Sequence, residues 1–418
     1  AHVRRERAKR SVHSIPINES LLRMFVGSLP FELTQAQRKA TWEIVQDMAG
    51  ASSMNRLLEG DVGSGKTVVA AAACASVLDA GYSVVYLAPT EIPAVQQHEA
   101  FCRLLKQPVG LFTRSQHKLG QDSLSKDQLL LSMRAGKTQC VIGTHALLQD
   151  HVDLAPALVI VDEQHRFGVE QRHALLQREG AVAPHLLSMT ATPIPRSLAL
   201  TIYGDLELSI LNEMPQGRKP VATALVPEAQ QKGMWGHVAA MIGQGLQAFV
   251  VCPLIDPSDK MGARSVTQVA SELKKGPLSS TRIGTLHGRM KSDEKEEAIC
   301  QFRDGKIDVL VSTTVVEVGV DIPNACVMVI VGAERFGLAQ LHQLRGRVGR
   351  SDIQSYCYLL PEHLSDSSEA RLRAVETIHD GFLLAEKDLE LRGPGNVFGN
   401  AQSGFSDFQL ATSADTEI

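Results

Sequence analysis

The sequence predicts an α/β protein of two tandem domains of similar size, each a mainly parallel sheet flanked by helices, followed by a C-terminal helical hairpin segment. Three observations predict it. Short apolar runs bounded by turn residues recur along the chain, separated by longer amphipathic stretches, which is the alternation of a parallel sheet wrapped by helices. The runs fall into two series on either side of a polar stretch punctuated by Pro and Gly. A glycine-rich turn, Gly60-Asp61-Val62-Gly63-Ser64-Gly65-Lys66-Thr67, stands between the apolar lead Leu57-Leu58 and the helix-forming run Val68 to Ala75.

The first series comprises Ser83 to Ala88, Gln139 to Gly143, Leu158 to Val161 and His185 to Met189. The second comprises Gln247 to Cys252, Thr281 to Leu286, Val309 to Ser312 and Val327 to Val331. Between them, Asn212-Glu213-Met214-Pro215-Gln216-Gly217-Arg218-Lys219-Pro220 suits a linker, which sets the expected domains at 28–214 and 215–364. From Ser365 to Glu390 the spacing is helical, and Arg392-Gly393-Pro394-Gly395 then breaks it into a Gly-rich segment, so 365–418 is set apart as a truncated terminal region. Residues 1–27, with the basic run Arg4, Arg5, Arg7, Lys9 and Arg10, are read as a residual linker from an upstream domain. No repeat of solenoid type appears.

At 418 residues, with 44% hydrophobic and 21% charged, the chain has ordinary globular composition and room for two to three cores. Its net charge of -4 excludes a generally basic nucleic-acid coat, so any such contact must be local. The seven cysteines contain no CxxC pair and several sit in apolar runs, which reads as reduced thiols in a reducing compartment. No stretch reaches the ~18 apolar residues of a membrane span, and no membrane partner is expected.

Gly60 to Thr67 fits GxxxxGK[ST] in its proper setting. Glycines let consecutive backbone N–H groups point at phosphate oxygens, and the helix start adds its positive dipole end. Lys66 is placed to reach the outer phosphates and Thr67 to ligate Mg2+, with ATP as the cofactor. Leu158 to Val161 then delivers Asp162 and Glu163 at its C-terminal end, where such sheets place ligands. Asp162 suits Mg2+ and Glu163 the attacking water. An acidic pair after a strand is by itself more often a helix cap; the upstream phosphate cradle changes that balance.

Gln164 and His165 follow as candidates for sensing the nucleotide or coupling to the partner domain. Phe31 and Gln37, in Phe31-Glu32-Leu33-Thr34-Gln35-Ala36-Gln37, precede the cradle by about one helix, and the Gln37 amide can meet an adenine edge. Thr190 and Thr192, in Ser188-Met189-Thr190-Ala191-Thr192-Pro193, end a strand in hydroxyl groups suited to linking hydrolysis to domain movement. In the second domain, Gln340-Leu341-His342-Gln343-Leu344-Arg345-Gly346-Arg347-Val348-Gly349-Arg350 is expected to set Arg347 and Arg350 on one helix face, as arginine fingers toward the γ-phosphate. The intervening glycines argue for close approach to a partner surface.

In this order, these residues resemble the superfamily 2 helicase motor, and more narrowly the RecG family of branched-DNA translocases. Particular to it are Gly60 to Thr67, Asp162-Glu163-Gln164-His165-Arg166-Phe167-Gly168-Val169, Thr190-Ala191-Thr192-Pro193-Ile194-Pro195-Arg196, and Ser312-Thr313-Thr314-Val315-Val316-Glu317-Val318-Gly319-Val320-Asp321. The resemblance runs from about Ser28 to Gly404 and implies two RecA-like domains. It implies a catalytic role for Gln343 beside Arg347 and Arg350, and nucleotide contacts at Gly319 and Asp321. Nucleic-acid contacts are implied at Pro89, Thr90, Glu91, Thr144, His145, His287, Gly288, Arg289, Thr313, Thr314 and Gln402, gripping backbone phosphates without reading sequence. The implied partner is double-stranded, branched DNA, worked on by a monomer in the bacterial cytoplasm at the nucleoid, or in an organelle of a eukaryote.

The family's N-terminal wedge domain is not recognised, Ala401 stands where arginine is usual and Asn400 where threonine is. Pro93 and Val95 replace a leucine and a glutamate, and Pro93 fits a helix only in its first turn. Two alternatives stand beside the branched-DNA reading: a non-catalytic or uncoupled DNA-binding fragment, and the motor of a transcription-repair coupling factor. Gln164 and Ser64 favour the RecG type over the latter.

Overall fold

A strand that is aliphatic on both faces, such as Leu158-Val159-Ile160-Val161, is stable only between two covering layers. It forms β7 (Leu158–Val161), buried along its length near the middle of a nine-stranded sheet. The computed structural model describes residues 11–149, 155–163, 182–192, 206–215, 219–253, 266–313, 322, 324–349 and 353–392. The other strands of this first sheet are β1 (Asn55–Gly60), β2 (Val84–Leu87), β3 (Val109–Phe112), β4 (His117–Leu119), β5 (Asp122–Ser123), β6 (Cys140–Gly143), β8 (His185–Thr190) and β9 (Glu207–Leu211). Their order is β5-β4-β3-β6-β2-β7-β8-β1-β9, parallel except for the β3–β4 and β4–β5 pairs.

Helices α1 (Glu19–Gly27), α2 (Gln35–Met48), α3 (Lys66–Asp79), α4 (Glu91–Leu104), α5 (Lys126–Arg134) and α6 (Ala146–Gln149) accompany this sheet. The alanine run Ala70 to Ala73 lets α3 sink almost wholly into the core beside Ile44, Tyr86 and Ile160. Thr34 caps α2, its hydroxyl accepting from Gln37 N–H while the Gln37 side chain accepts from Thr34 N–H, which satisfies two otherwise orphaned donors.

The second sheet holds β10 (Ala222–Leu225), β11 (Gln247–Val251), β12 (Ile283–Leu286), β13 (Val309–Ser312), β14 (Ala325–Val331) and β15 (Tyr356–Leu360). Their order is β10-β15-β14-β11-β13-β12, all parallel. Along β11 the faces alternate with the strand period: Phe249 and Val251 enter one core, Ala248 and Val250 the other. Helices α7 (Gln231–Gly243), α8 (Val266–Lys275), α9 (Ser292–Arg303) and α10 (Leu338–Arg345) belong to this domain. Two further helices, α11 (Asp366–Thr377) and α12 (Gly381–Arg392), carry Leu372, Val375 and Leu384 into its core.

Each apolar run singled out in the sequence is a strand, with bounds moved by no more than two residues. The strands β3, β4, β5, β9, β10 and β15 were not anticipated. Those at β4 and β5 are short and polar, β4 pairing with β3 and β5 with β4. One expectation needs correction. Residues 11–27 are not a linker: Ile15 and Phe25 are buried in the first core, Val12 bridges to Ala183, and His185 donates to the His13 carbonyl at 2.7 Å. Their apolar positions, Ile15, Leu22, Phe25 and Val26, fold this segment onto the domain by burial. Among the described residues no helix is long and apolar enough to cross a membrane.

Candidate functional site

Strand β1 ends at Gly60, and the glycine-rich turn carries the chain into α3 at Lys66. Gly65 caps that helix with φ +87°, and a side chain there would collide with the Gln37 amide, so only glycine suits the position. Gln37, expected at an adenine edge, is buried against this turn and donates to the Ser64 carbonyl at 2.8 Å. With its oxygen on Thr34 N–H at 2.9 Å, Gln37 braces the phosphate loop. Phe31, by contrast, is 50% exposed beside the start of α2.

Lys66 donates to the carbonyls of Gly60 at 2.7 Å and Asp61 at 3.0 Å. Its ammonium is held below its usual pKa: burial depresses it, the charges of Glu163, Asp162 and Asp61 oppose that, and Arg347 adds to the depression. That last influence places the guanidinium of Arg347, from the second domain, in the electrostatic neighbourhood of the phosphate loop. Asp162 lies at the end of β7 and is pushed up to about 6 by burial and then by the adjacent Glu163 charge, with Lys66 pulling the other way. Its Oδ1 accepts from Glu163 N–H at 3.0 Å and its Oδ2 from the Tyr86 hydroxyl at 3.0 Å.

The second domain reaches this site through the C-terminal end of α10. The His342 Nδ1 accepts from the Arg345 guanidinium at 2.8 Å; because Arg has no acceptor, Nε2 carries the hydrogen and donates to Asp61 Oδ1. Burial alone would raise the Asp61 carboxyl, but the hydrogen bond from His342, the Val62 N–H and the charge of Lys66 outweigh it and hold it below the usual range. Gln343 donates to the Thr192 hydroxyl at 2.6 Å. Gly346 lies so close that a Cβ added to it would sit 2.8 Å from the Val62 Cβ. On the far side of the seam Gln116 donates to Glu296 at 2.9 Å.

The expectation that Arg347 sits on a helix face is corrected. Helix α10 ends at Arg345, with Gly346 as its cap, and Arg347 follows in a turn closed by its N–H on the Leu344 carbonyl at 3.0 Å. The cause is packing: Gly346 against Val62, and Gly349 at φ +77° against Val221. Arg347 is 5% exposed. Arg350, Gln164, His165, Thr314, Gly319, Asp321 and Gln402 lie outside the described residues.

Candidates for nucleic-acid contact stand at other strand ends of the same edges. Thr90 precedes α4 after β2, and Pro93 occupies the first turn of that helix. Glu91 is engaged by Arg114 N–H, Ser115 N–H and the Ser115 hydroxyl, so it pins the turn before β4. Thr144 is buried and His145 exposed after β6; Gly288 and Arg289 are exposed and His287 half-buried after β12; Thr313 is buried after β13.

Comparison with known proteins agrees with this arrangement. Residues 34–201 match the DEAD/DEAH box helicase family and residues 237–352 the helicase conserved C-terminal domain. The ATP-dependent DNA helicase RecG of Synechocystis is 46% identical over 396 residues, 94% of this chain and 47% of that protein. That of Thermotoga maritima is 44% identical over 417 residues, 98% of this chain and 52% of the relative. Over nearly its whole length the chain is similar to these RecG helicases. It spans about half the length of these curated relatives. A solved structure of RecG bound to a three-way DNA junction superimposes with a TM-score of 0.81 at 41% identity, covering 97% of this chain and 53% of that one. Yeast Dbp5, 17% identical over 89% of this chain and 91% of its own with a TM-score of 0.57, shares the fold of two RecA-like domains.

The site contains three residues that sequence reasoning passed over: Tyr86, His342 and Arg345. A tyrosine inside the aliphatic run Val84 to Leu87 was the available signal, since a buried phenol needs a partner. His342 and Arg345 were separated by one turn of a predicted helix, close enough to interact. Their connection to Asp61 crosses between domains and had no local signature.

Proposed function

We propose that this chain is the ATP-hydrolysing motor of a DNA translocase and helicase that acts on double-stranded DNA and remodels branched structures such as stalled forks and Holliday junctions. The observation that carries the reading is the seam at the phosphate loop, where His342 meets Asp61, Gly346 abuts Val62 and Arg347 bears electrostatically on Lys66. An ATP site completed by a second domain converts nucleotide binding and release into relative domain movement. One solved structure, 41% identical, is of RecG bound to a three-way DNA junction, which supports branched DNA as the substrate class.

Lys66 and the N-terminus of α3 would stabilise charge on the outer phosphates. Mg2+ fits the residues present. Thr67 and Asp162 offer hard oxygen donors, and among the described residues no cluster of three or more His, Cys, Asp or Glu could form a protein-only cage, which Mg2+ does not require. Bound there, it would neutralise charge between phosphates. Glu163 would orient the attacking water and take its proton, and Arg347 would offset charge on the transferred group. Thr190 and Thr192, with Gln343 on the latter, would pass the change to the second domain. Exposed groups at Thr90, His145, Gly288 and Arg289 would hold DNA phosphates. A monomer suffices, since both halves of the site are in one chain.

Phosphate release measured with linear duplex, with a three-way junction and without DNA tests this. Stimulation by DNA, greatest for the junction, is expected, with Lys66→Ala inactive and Arg347→Ala retaining nucleotide affinity while losing at least tenfold in kcat. DNA binding without any stimulated turnover would overturn the enzyme reading in favour of a DNA-clamping fragment.

A further inference from the structure

Strand β2 lies between β6 and β7, and its register sets Tyr86 beside Ile160 and Leu87 beside Val161. Tyr86 is fully buried, with its ring edge-on to Phe101 at 5.3 Å. Packing alone gives no reason for the phenol oxygen: the neighbouring Val84, Val85 and Leu87 are aliphatic, and phenylalanine would occupy the same volume. The hydroxyl instead donates to Asp162 Oδ2 at 3.0 Å.

The opposite oxygen of that carboxylate, Oδ1, accepts the Glu163 N–H at 3.0 Å. Asp162 is therefore gripped at both ends, by a side chain from β2 and by its own following peptide. Glu163 has φ +50° and, among the described residues, no other residue except glycine has a positive φ. A side chain in that region is strained, and such strain persists only when surrounding contacts hold it. The bond from Glu163 N–H to Asp162 is one of those contacts, and it depends on how the carboxylate plane is set.

We propose that Tyr86 is a positioning residue for hydrolysis: its phenol fixes the Asp162 carboxylate and, through it, the left-handed turn at Glu163, so the acidic pair is preset before nucleotide arrives. Tyr86 acts through Asp162, on which its hydroxyl is spent. The proposal rests on the ATP-hydrolysis reading above.

Tyr86→Phe tests it, because the variant keeps the ring and its Phe101 contact and removes only the oxygen. Loss of one hydrogen bond to a charged group predicts a kcat about tenfold lower, with KM for ATP within about twofold of wild type on the same reasoning, since Lys66 and the loop amides are untouched. The second readout does not use turnover: the Mg2+ concentration that half-maximally tightens binding of a fluorescent ATP analogue should rise at least threefold, a modest part of that same factor. Tyr86→Leu, which also deletes the ring, should lower the melting temperature while giving no larger shift in Mg2+ requirement than Tyr86→Phe. Wild-type kcat and Mg2+ dependence in Tyr86→Phe would overturn the proposal and leave Tyr86 as core filling. If wild-type protein hydrolysed no ATP, the functional reading would fail first, and the Mg2+ shift would still decide for or against the role of Tyr86.

Discussion

Substituting Gly346 by alanine isolates domain closure from the stability of either domain. Gly346 has an ordinary helical conformation, φ -67° and ψ -9°, so alanine is not strained there and would by propensity favour the helix end by up to about 1 kcal/mol. The new Cβ would nevertheless meet Val62 Cβ at 2.8 Å and its Cγ2 at 3.1 Å. Carbon atoms pack at about 3.5–4.0 Å, so the seam must open by roughly 0.7 Å or more, using that same contact distance. Overpacking of one methyl costs about 1–3 kcal/mol, and all of it falls on the closed form. That corresponds to about a 5- to 150-fold lower occupancy of the state in which Arg347 meets the nucleotide, and a 1 Å misplacement of a reacting group costs on the order of 10²-fold by itself. DNA-stimulated phosphate release should therefore fall ten- to a hundredfold, while the melting temperature and nucleotide affinity remain near wild type. Unaltered kcat in Gly346→Ala would show that the Val62 contact is irrelevant to turnover and would refute the interdomain site.

Two further outcomes follow from charges at the same seam. The Asp61 carboxyl is held below its usual range, mainly against burial, by His342; stability from such a group is present above the ordinary pKa of 3.8 and is lost as pH falls through the lower native value. His342→Ala should move acid unfolding to higher pH and destabilise the protein by about 1–3 kcal/mol at neutral pH, and urea melts across pH 3–7 that matched wild type would contradict the assigned bond. Asp162 has the opposite sign, being raised to about 6 by burial, so the native state binds the extra proton between the ordinary pKa and about pH 6 and loses stability as pH rises through that window. In metal-free, nucleotide-free protein, Asp162→Asn should abolish that decline, and an unchanged pH slope would contradict the burial assigned to the carboxyl.

The sequence carried the sheets and the phosphate loop because both are local. Four aliphatic residues between turns, as at Leu158 to Val161, have one stable fate in a covered sheet, and a glycine-rich turn leading into Val68 to Ala75 has few others. Polar strands such as His117 to Leu119 carry no such signal, because pairing with β3 and β5 defines them. The helix assigned to Arg347 failed for a related reason. The spacing was compatible with a helix, but Gly346 and Gly349 answer to Val62 and Val221, residues distant in sequence. Gln37, expected at an adenine edge, has its amide turned to Ser64 by a capping box whose partners Thr34 and Gln37 stand three residues apart.

The two candidate functions divide one edge of the first sheet. The ends of β1, β7 and β8 carry Gly60, Asp162 and Thr190, while those of β2 and β6 lead into Thr90 and Thr144. Strands β2 and β7 are neighbours, so the boundary between the halves runs between Leu87 and Val161. The Tyr86 hydroxyl crosses that boundary to Asp162, and four residues further along its strand the chain reaches Thr90. A strand buried on both faces moves as a unit, because close-packed interiors resist small shifts. Displacement of the β2 end would therefore be felt at the Asp162 carboxylate without any large motion between. The second domain has a matching arrangement, since α10 presents His342 and Gln343 to the nucleotide half while Arg345 holds the carbonyls of Val375, Ile378 and His379 at the corner between α11 and α12. Each domain thus joins the phosphate loop to a distant surface through one buried element, which is what a motor that couples hydrolysis to displacement needs from its fold.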